Sequence, residues 1–183
     1  MTHAGESLFV LTGAPGAGKT TLLNAAAARG IRIGREAARA VIQVQRAIDG
    51  PALQWRDPAR FAELMLDRDI QTHEVLSTGD GAALCDRGIP DIVAYGRIMG
   101  LTETGHFVRA ARLYRYNPTV FFAPPWREIY ADDAERTEGW EHAQRIYGPM
   151  RDAYAEMGYR VVELPMTSVE DRLTFVLDTI AHA

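Results

Sequence analysis

The sequence predicts an α/β fold in which a five-stranded, mostly parallel sheet lies between layers of helices. Three observations predict it. Short apolar runs recur five times, over residues 8–11, 31–33, 82–85, 120–122 and 160–164. Segments with helical spacing separate each from the next, and alternating strands and helices pack as a parallel sheet covered on both faces. The runs are mostly continuous rather than alternating, as strands buried on both faces should be.

In chain order, Leu8-Phe9-Val10-Leu11 is the first strand, and a helix from about 19 to 28 follows until Gly30 stops it. Ile31 to Ile33 forms the second strand. The next helix runs from about 36 to 48 and ends at Asp49-Gly50-Pro51. Asp57-Pro58 is a helix start, with a capping carboxylate ahead of a first-turn proline. Phe61, Leu64, Met65 and Ile70 then share one helical face as far as Thr78-Gly79-Asp80-Gly81. Asp86 closes the third strand. Pro90 opens a helix to about 99, and a further helix covers about 103 to 114. Pro124-Pro125 ends the fourth strand, and a polar, charged stretch follows over 127–139. A helix from about 141 to 157 leads to the last strand, and Ser168, three residues before Asp171, caps the final helix. No repeat or internal boundary interrupts this order, so residues 1–183 read as one domain with a mobile lid at 125–139.

Composition excludes several classes. An apolar share of 47% and a charged share of 24% are those of a soluble globular domain. A net charge of −4 argues against nucleic acid as the main partner. Cys85 is the single cysteine and the five histidines are scattered, which speaks against disulfides and zinc. The polar start lacks a secretory leader, and no apolar run approaches the roughly 18 residues of a membrane helix, so a cytoplasmic location is expected. Oligomeric state stays open.

One chemical signal dominates. Of the 20 Lys and Arg residues only Lys19 is lysine. It sits in Gly13-Ala14-Pro15-Gly16-Ala17-Gly18-Lys19-Thr20, which fits G-x-x-x-x-G-K-[ST] at every fixed position between an apolar strand and a helix. Glycines let successive backbone N–H groups turn inward, and the helix N-terminus adds its positive end. Lys19 supplies a compact charge that a guanidinium does not imitate. The pattern makes the chain a three-layer P-loop nucleotide-binding protein, with residues 13–20 and the adjoining Thr21 holding ATP and Thr20 offering its hydroxyl to Mg²⁺.

An acid at the end of a buried strand is the usual second magnesium anchor, and Asp86 stands there. Its alternative is a turn cap or a pair with Arg87. ATP-driven machines place a second acid next in sequence, but here the next residue is Arg87, suited to an anionic or polar group or to a structural ion pair. A GTPase would need an Asn-Lys-x-Asp motif and an Asp-x-x-Gly switch. The chain has neither.

The combination of Gly13 to Thr21, Arg35-Glu36-Ala37-Ala38-Arg39, Asp86-Arg87-Gly88-Ile89-Pro90-Asp91, Pro125-Trp126, Asp133 and Arg136 resembles a family of small predicted ATPases with an AAA-type domain that lack the motor's second domain. That family is similar to the ribosylnicotinamide kinase domain of bacterial NAD regulators and, more remotely, to nucleoside and nucleotide kinases. The resemblance covers nearly the whole chain. It implies a nucleoside/nucleotide-kinase type fold and, by analogy, phosphoryl transfer from ATP to a hydroxyl or phosphate of a small molecule.

It also implies that Glu36 meets the acceptor; the alternative is a favourable charge in a helix's first turn. Arg39, one turn on, holds the acceptor's anionic group or simply pairs with Glu36. Arg87 completes the expected substrate set. Trp55 and Trp126 either stack a base or pack. Asp91 reads as a helix-dipole residue. Within the charged stretch, Arg136 is the arginine expected to close over the phosphates, with Arg127 second. The competing function is a nucleotide-dependent regulatory ATPase that acts as a switch for a protein partner.

Overall fold

The structure is a computed structural model that describes residues 5–130 and 139–183. Its elements are β1 (Leu8–Gly13), α1 (Lys19–Ala28), β2 (Arg32–Gly34), α2 (Ala37–Ala47), α3 (Pro58–Ser77), β3 (Ala83–Asp86), α4 (Ile89–Ile98), α5 (Gly105–Leu113), β4 (Thr119–Ala123), a 3-10 turn at Arg127–Ile129, α6 (Trp140–Glu156), β5 (Arg160–Glu163) and α7 (Val169–Ala181). The sheet order is β2-β3-β1-β4-β5, and every pairing is parallel, so the mostly parallel sheet is wholly so.

Pleating sends adjacent residues to opposite faces, and each face has its own core. Phe9 and Leu11 join Leu84 and Phe121 under α1 (Leu22, Leu23, Ala26) and α7 (Leu173, Val176). Leu8 and Val10 join Cys85, Val120 and Phe122 under α3, α4, α5 and α6, through Phe61, Ile92, Phe107 and Tyr154. Phe121 and Phe122, both fully buried, thus serve different layers from one strand. Truncating either to Ala costs about 3–5 kcal/mol. The helix starts read from sequence are capped as expected. Asp57 accepts from the Arg60 amide at 3.0 Å and Ser168 from that of Asp171 at 3.1 Å.

This order fixes where a ligand can sit. The chain leaves β1 for the edge strand β2, returns to β3 beside β1, and then crosses to β4 on the other side. Ligands of open parallel sheets bind at such a reversal, beyond the strands' carboxyl ends. Asp86 lies opposite Leu11, and Gly13 opposite Ala123, so the acid after β3 and the loop after β1 open into one crevice. Among the described residues no helix is long and apolar enough to cross a membrane.

Candidate functional site

The loop after β1 is built as its glycines require. Gly13 has φ 116°, and a Cβ there would stand 2.3 Å from the Ala123 carbonyl oxygen, so only glycine fits. Gly18, at φ 74°, is the left-handed residue that turns the chain into α1. The Ala14 amide bonds the Ala123 carbonyl at 2.9 Å and fastens the loop to β4. Lys19 is buried, and its ammonium donates to the carbonyls of Ala14 (2.7 Å) and Gly13 (3.3 Å), drawing the loop's end onto its beginning.

A brace comes from the far end of the chain. Arg172, in the first turn of α7, is 2% exposed and donates from both terminal nitrogens to the Ala17 carbonyl at 3.1 Å. Its guanidinium lies 5.8 Å from the Trp126 ring. Burial lowers the pKa of Arg172.

A cavity of about 190 Å³ lies against this loop, lined by Gly16, Gly18, Lys19, Thr20, Thr21 and Asp86, with Glu36 and Arg39 at one side and Ile129 and Tyr130 at another. Asp86 and Thr20 thus line the same cavity. The Tyr130 ring lies so close to Gly16 that a Cβ there would come within 2.6 Å of it. A turn of backbone at a helix start, one ammonium, one hydroxyl and one carboxylate form a donor set suited to a triphosphate and a divalent cation that completes its shell on phosphate oxygens. The residues fit Mg-ATP.

Beside the loop stands a buried ionic cluster. Glu36 caps α2 where the chain leaves β2, and Arg87 follows the last residue of β3. Arg87 has φ 70°, a conformation that costs a non-glycine residue roughly 1–3 kcal/mol. Its amide bonds the Leu11 carbonyl at 3.0 Å, and the turn aims its guanidinium inward. Nε then donates to Glu36 Oε1 at 3.1 Å, and Nη1 to Asp91 Oδ1 at 3.1 Å and to Thr12 Oγ1 at 3.3 Å. Burial opposes the charge on Arg87, but the fields of Asp91, Glu36 and Asp86 outweigh it and raise its pKa.

Asp91 does more than complement a helix dipole. It accepts from Thr12 Oγ1 at 2.6 Å, from the Gly88 amide at 3.0 Å and from the Tyr154 hydroxyl, besides Arg87. Arg39 approaches Glu36 only to 3.9 Å and is partly exposed. The ion pairs weighed for Arg87 and Arg39 both exist, and both side chains nevertheless face a cavity.

That second cavity, of about 240 Å³, lies between α2, α3, α4 and α6. Glu36, Arg39, Arg87, Asp91 and Asp69 line it among Ile42, Phe61, Met65, Ile92, Tyr95 and Met150. Trp55, 47% exposed, stands on its wall with Arg46 5.3 Å from the ring. Trp126 lines neither cavity. Of the lid expected at 125–139, Ile129 and Tyr130 reach the loop cavity, while Arg127 lies 5.3 Å over the Trp140 ring. Arg136 and Asp133 fall outside the described residues.

The loop cavity gathers Lys19, Thr20, Asp86, Glu36 and Arg39, and Arg87 meets Glu36 from the neighbouring cavity. Sequence reasoning missed Thr12, Asp69, Tyr154 and Arg172 and undervalued Asp91. Only Asp91 left a trace, three residues after Gly88 in a helix's first turn.

Comparison with known proteins agrees with this geometry. The chain superposes on NadR protein in complex with NR (TM-score 0.71, 18% identity, 97% of this chain and 50% of that one). It thus spans half the length of that relative. Thymidylate kinase from Ehrlichia chaffeensis gives a TM-score of 0.58 at 16% identity, covering 97% and 99% of the two chains. Deoxyadenosine kinase from M. mycoides with bound dATP gives 0.65 at 12%, covering 95% and 99%. No curated protein is matched by sequence. The model of an AAA domain family matches residues 8–172. The chain belongs to that AAA domain family and carries the P-loop fold of nucleoside and nucleotide kinases.

Proposed function

We propose that the protein is an ATP-dependent kinase that phosphorylates a hydroxyl of a small molecule. One observation carries the reading. The two cavities share Pro15, Glu36 and Arg39, so the phosphate loop and a concave acceptor pocket meet at a single carboxylate. A phosphoryl group on the loop and a hydroxyl in the pocket would face each other across Glu36, and positioning of that kind is most of phosphoryl-transfer catalysis. The kinase names of the structural neighbours support it.

In this reading the backbone N–H groups of Gly16, Ala17, Gly18, Thr20 and Thr21 cradle the phosphates in the loop that Gly13, Ala14 and Pro15 begin, and Lys19 neutralises the outer ones. Thr20 and Asp86 would hold a magnesium ion, which supplies charge neutralisation at the phosphates. The acceptor oxygen bonds the γ-phosphorus as the bond from that phosphorus to the β–γ bridging oxygen breaks. ADP leaves, and the hydroxyl proton passes to Glu36. Arg87 holds the Glu36 carboxylate in place from behind, and Arg39 lies at the seam where transferred charge develops. Arg136 is the lid arginine for that charge. A cavity of about 240 Å³ lies just below the usual range of ligand sites, about 300–1,000 Å³, which fits a single small acceptor.

The test is ATP consumption with and without pooled nucleosides, vitamins and sugars, with mass spectrometry of the products. A phosphorylated metabolite that appears with wild type and not with Lys19→Ala supports the kinase. ATP hydrolysis with no phosphorylated product across the pools overturns it.

A further inference from the structure

Asp69 is the group that the reading above leaves without a task. In α3 it follows Phe61 and Met65 at intervals of four, so it continues one stripe of the helix. Phe61 and Met65 are core residues, and the stripe calls for a third apolar side chain. An acid stands there instead, 7% exposed, on the wall of the acceptor cavity. Among the described residues it makes neither hydrogen bond nor ion pair. Arg87, the cation among the described residues whose field lowers its pKa, is already bonded to Glu36 and Asp91.

The neighbourhood defines what such a carboxyl can take. Asp91, Glu36 and Asp86 act on Asp69 with the same sign and Arg87 only partly opposes them, so a group that brings a proton or positive charge is favoured beside Asp69, although Arg39 and Arg87 line the same cavity. The walls beside it, Phe61, Tyr95 and Trp55, are flat and largely apolar, which suits a planar ring. A ring edge with an amino group beside a ring nitrogen satisfies the acid in either protonation state. The acid donates to the ring nitrogen while accepting from the amino group, or a carboxylate accepts twice from the protonated ring. A carbonyl-edged ring can pair only with the protonated acid and cannot take the positive charge, so it forgoes the charge-assisted pair.

We propose that Asp69 is a specificity-determining residue of the acceptor cavity, where its carboxyl pairs with the amino edge of a one-ring nitrogen heterocycle carried by an unphosphorylated alcohol, an aminopyrimidine nucleoside being the simplest such molecule. The assignment of the cavity rests on the kinase reading, whereas binding of the ring does not require turnover.

The experiment is calorimetric titration of the full chain with cytidine, uridine and cytidine 5′-phosphate, for wild type, Asp69→Asn and Asp69→Leu, with ATP titrated into each as the control for folding. Cytidine should bind wild type about tenfold or more tighter than uridine, the worth of one hydrogen bond to a charged group. Cytidine should also bind more tightly than its 5′-phosphate, whose charge would meet the Glu36 carboxylate at the seam of the two cavities. Asp69→Leu should bind the two nucleosides alike, and Asp69→Asn, whose amide pairs with either edge and can give up no proton, should lose the preference. Equal binding of cytidine and uridine by wild type, a preference for the phosphate, preference retained in either variant, or no nucleoside binding by protein that still binds ATP each overturns the inference. Failure of the kinase reading is separate. Cytidine that binds through Asp69 without being phosphorylated would sink that reading and keep this one, and phosphorylation of a ring-free alcohol would do the reverse.

Discussion

Replacing Asp69 with Asn should make the protein more stable at neutral pH, an uncommon outcome for a mutation in a buried site. The side chains are nearly the same shape, so packing against Phe61 and Met65 is preserved, and what changes is the cost of a carboxylate without a partner. Burial raises the pKa of Asp69 well above the usual carboxylate range, and Asp91, Glu36 and Asp86 raise it further, while Arg87 only partly opposes them. Cys85 and Tyr116 also face it, and their pKa values are raised by burial and then by Asp69 itself. The sign follows from linkage. Below the unfolded value both states of wild type hold the proton, and variant and wild type should be equally stable. As pH rises past it the unfolded chain loses the proton while the folded one retains it, so wild type loses stability relative to Asn at up to about 1.4 kcal/mol per pH unit. The loss stops once pH passes the folded value. A buried polar group without its bond costs about 1–3 kcal/mol, and a gain of about 2 kcal/mol would lift the melting temperature of a domain this size by about 4–8 °C. Thermal unfolding of ligand-free protein from pH 4 to pH 8 reads this directly. A variant that melts below wild type at pH 7, or a difference that does not change with pH, would refute the reasoning.

Other changes test the loop and its surroundings. Lys19→Arg should abolish ATP turnover, because the small space bounded by the Gly13 and Ala14 carbonyls suits an ammonium and not a planar guanidinium, and normal turnover in the variant would contradict this. Arg172→Ala removes two bonds to the Ala17 carbonyl and should weaken ATP binding by about 10–100-fold with a smaller effect on the acceptor, measured by titration of each; unchanged ATP affinity would mean that the loop holds its shape alone. Arg136→Ala should lower the maximal rate by roughly a hundredfold with little change in ATP affinity, and Arg127→Ala should do less; steady-state rates set beside nucleotide titration decide, and a normal rate in Arg136→Ala would reduce the segment to an ordinary loop.

The parts of the site that sequence makes visible are those written in contiguous residues. Gly13 to Thr20 follows a strand and starts a helix, and the backbone can do little else with it. Asp86 is legible because a parallel strand must present its last residue at the crevice. Glu36 and Arg87 are legible as candidates because they sit at the same ends of neighbouring strands, although their bond to each other spans 51 positions and depends on strand order. Arg172 and Asp69 carry no local mark. Arg172 reads as a charge in an amphipathic helix, and only the packing of α7 beside α1 puts it under Ala17. Asp69 reads as one polar residue among several in α3, between Arg68 and Ile70, and its burial follows from α2, α4 and α6 closing around it. Asp91 stood in a recognisable first turn, yet its meeting with Thr12 and Tyr154 joins three elements that no spacing connects.

The same geometry bears on the choice between an enzyme and a protein switch. A switch reads out its nucleotide through an exposed surface, so the space opposite its loop should be broad and flat. A kinase needs a concave space, with water kept from the reacting phosphorus. Here Glu36 closes the seam between the cavities, and Arg87 behind it is locked to Asp91, which in turn bonds β1 through Thr12 and α6 through Tyr154. A carboxylate braced from three elements is a poor moving part and a good fixed one. The space beside the loop is largely apolar, with its polar groups gathered near Glu36 and Asp69. That division, apolar walls with a few convergent polar groups, is how sites for small organic molecules are generally made. It favours a reaction whose acceptor is held by a flat body at one end and offered by a hydroxyl at the other.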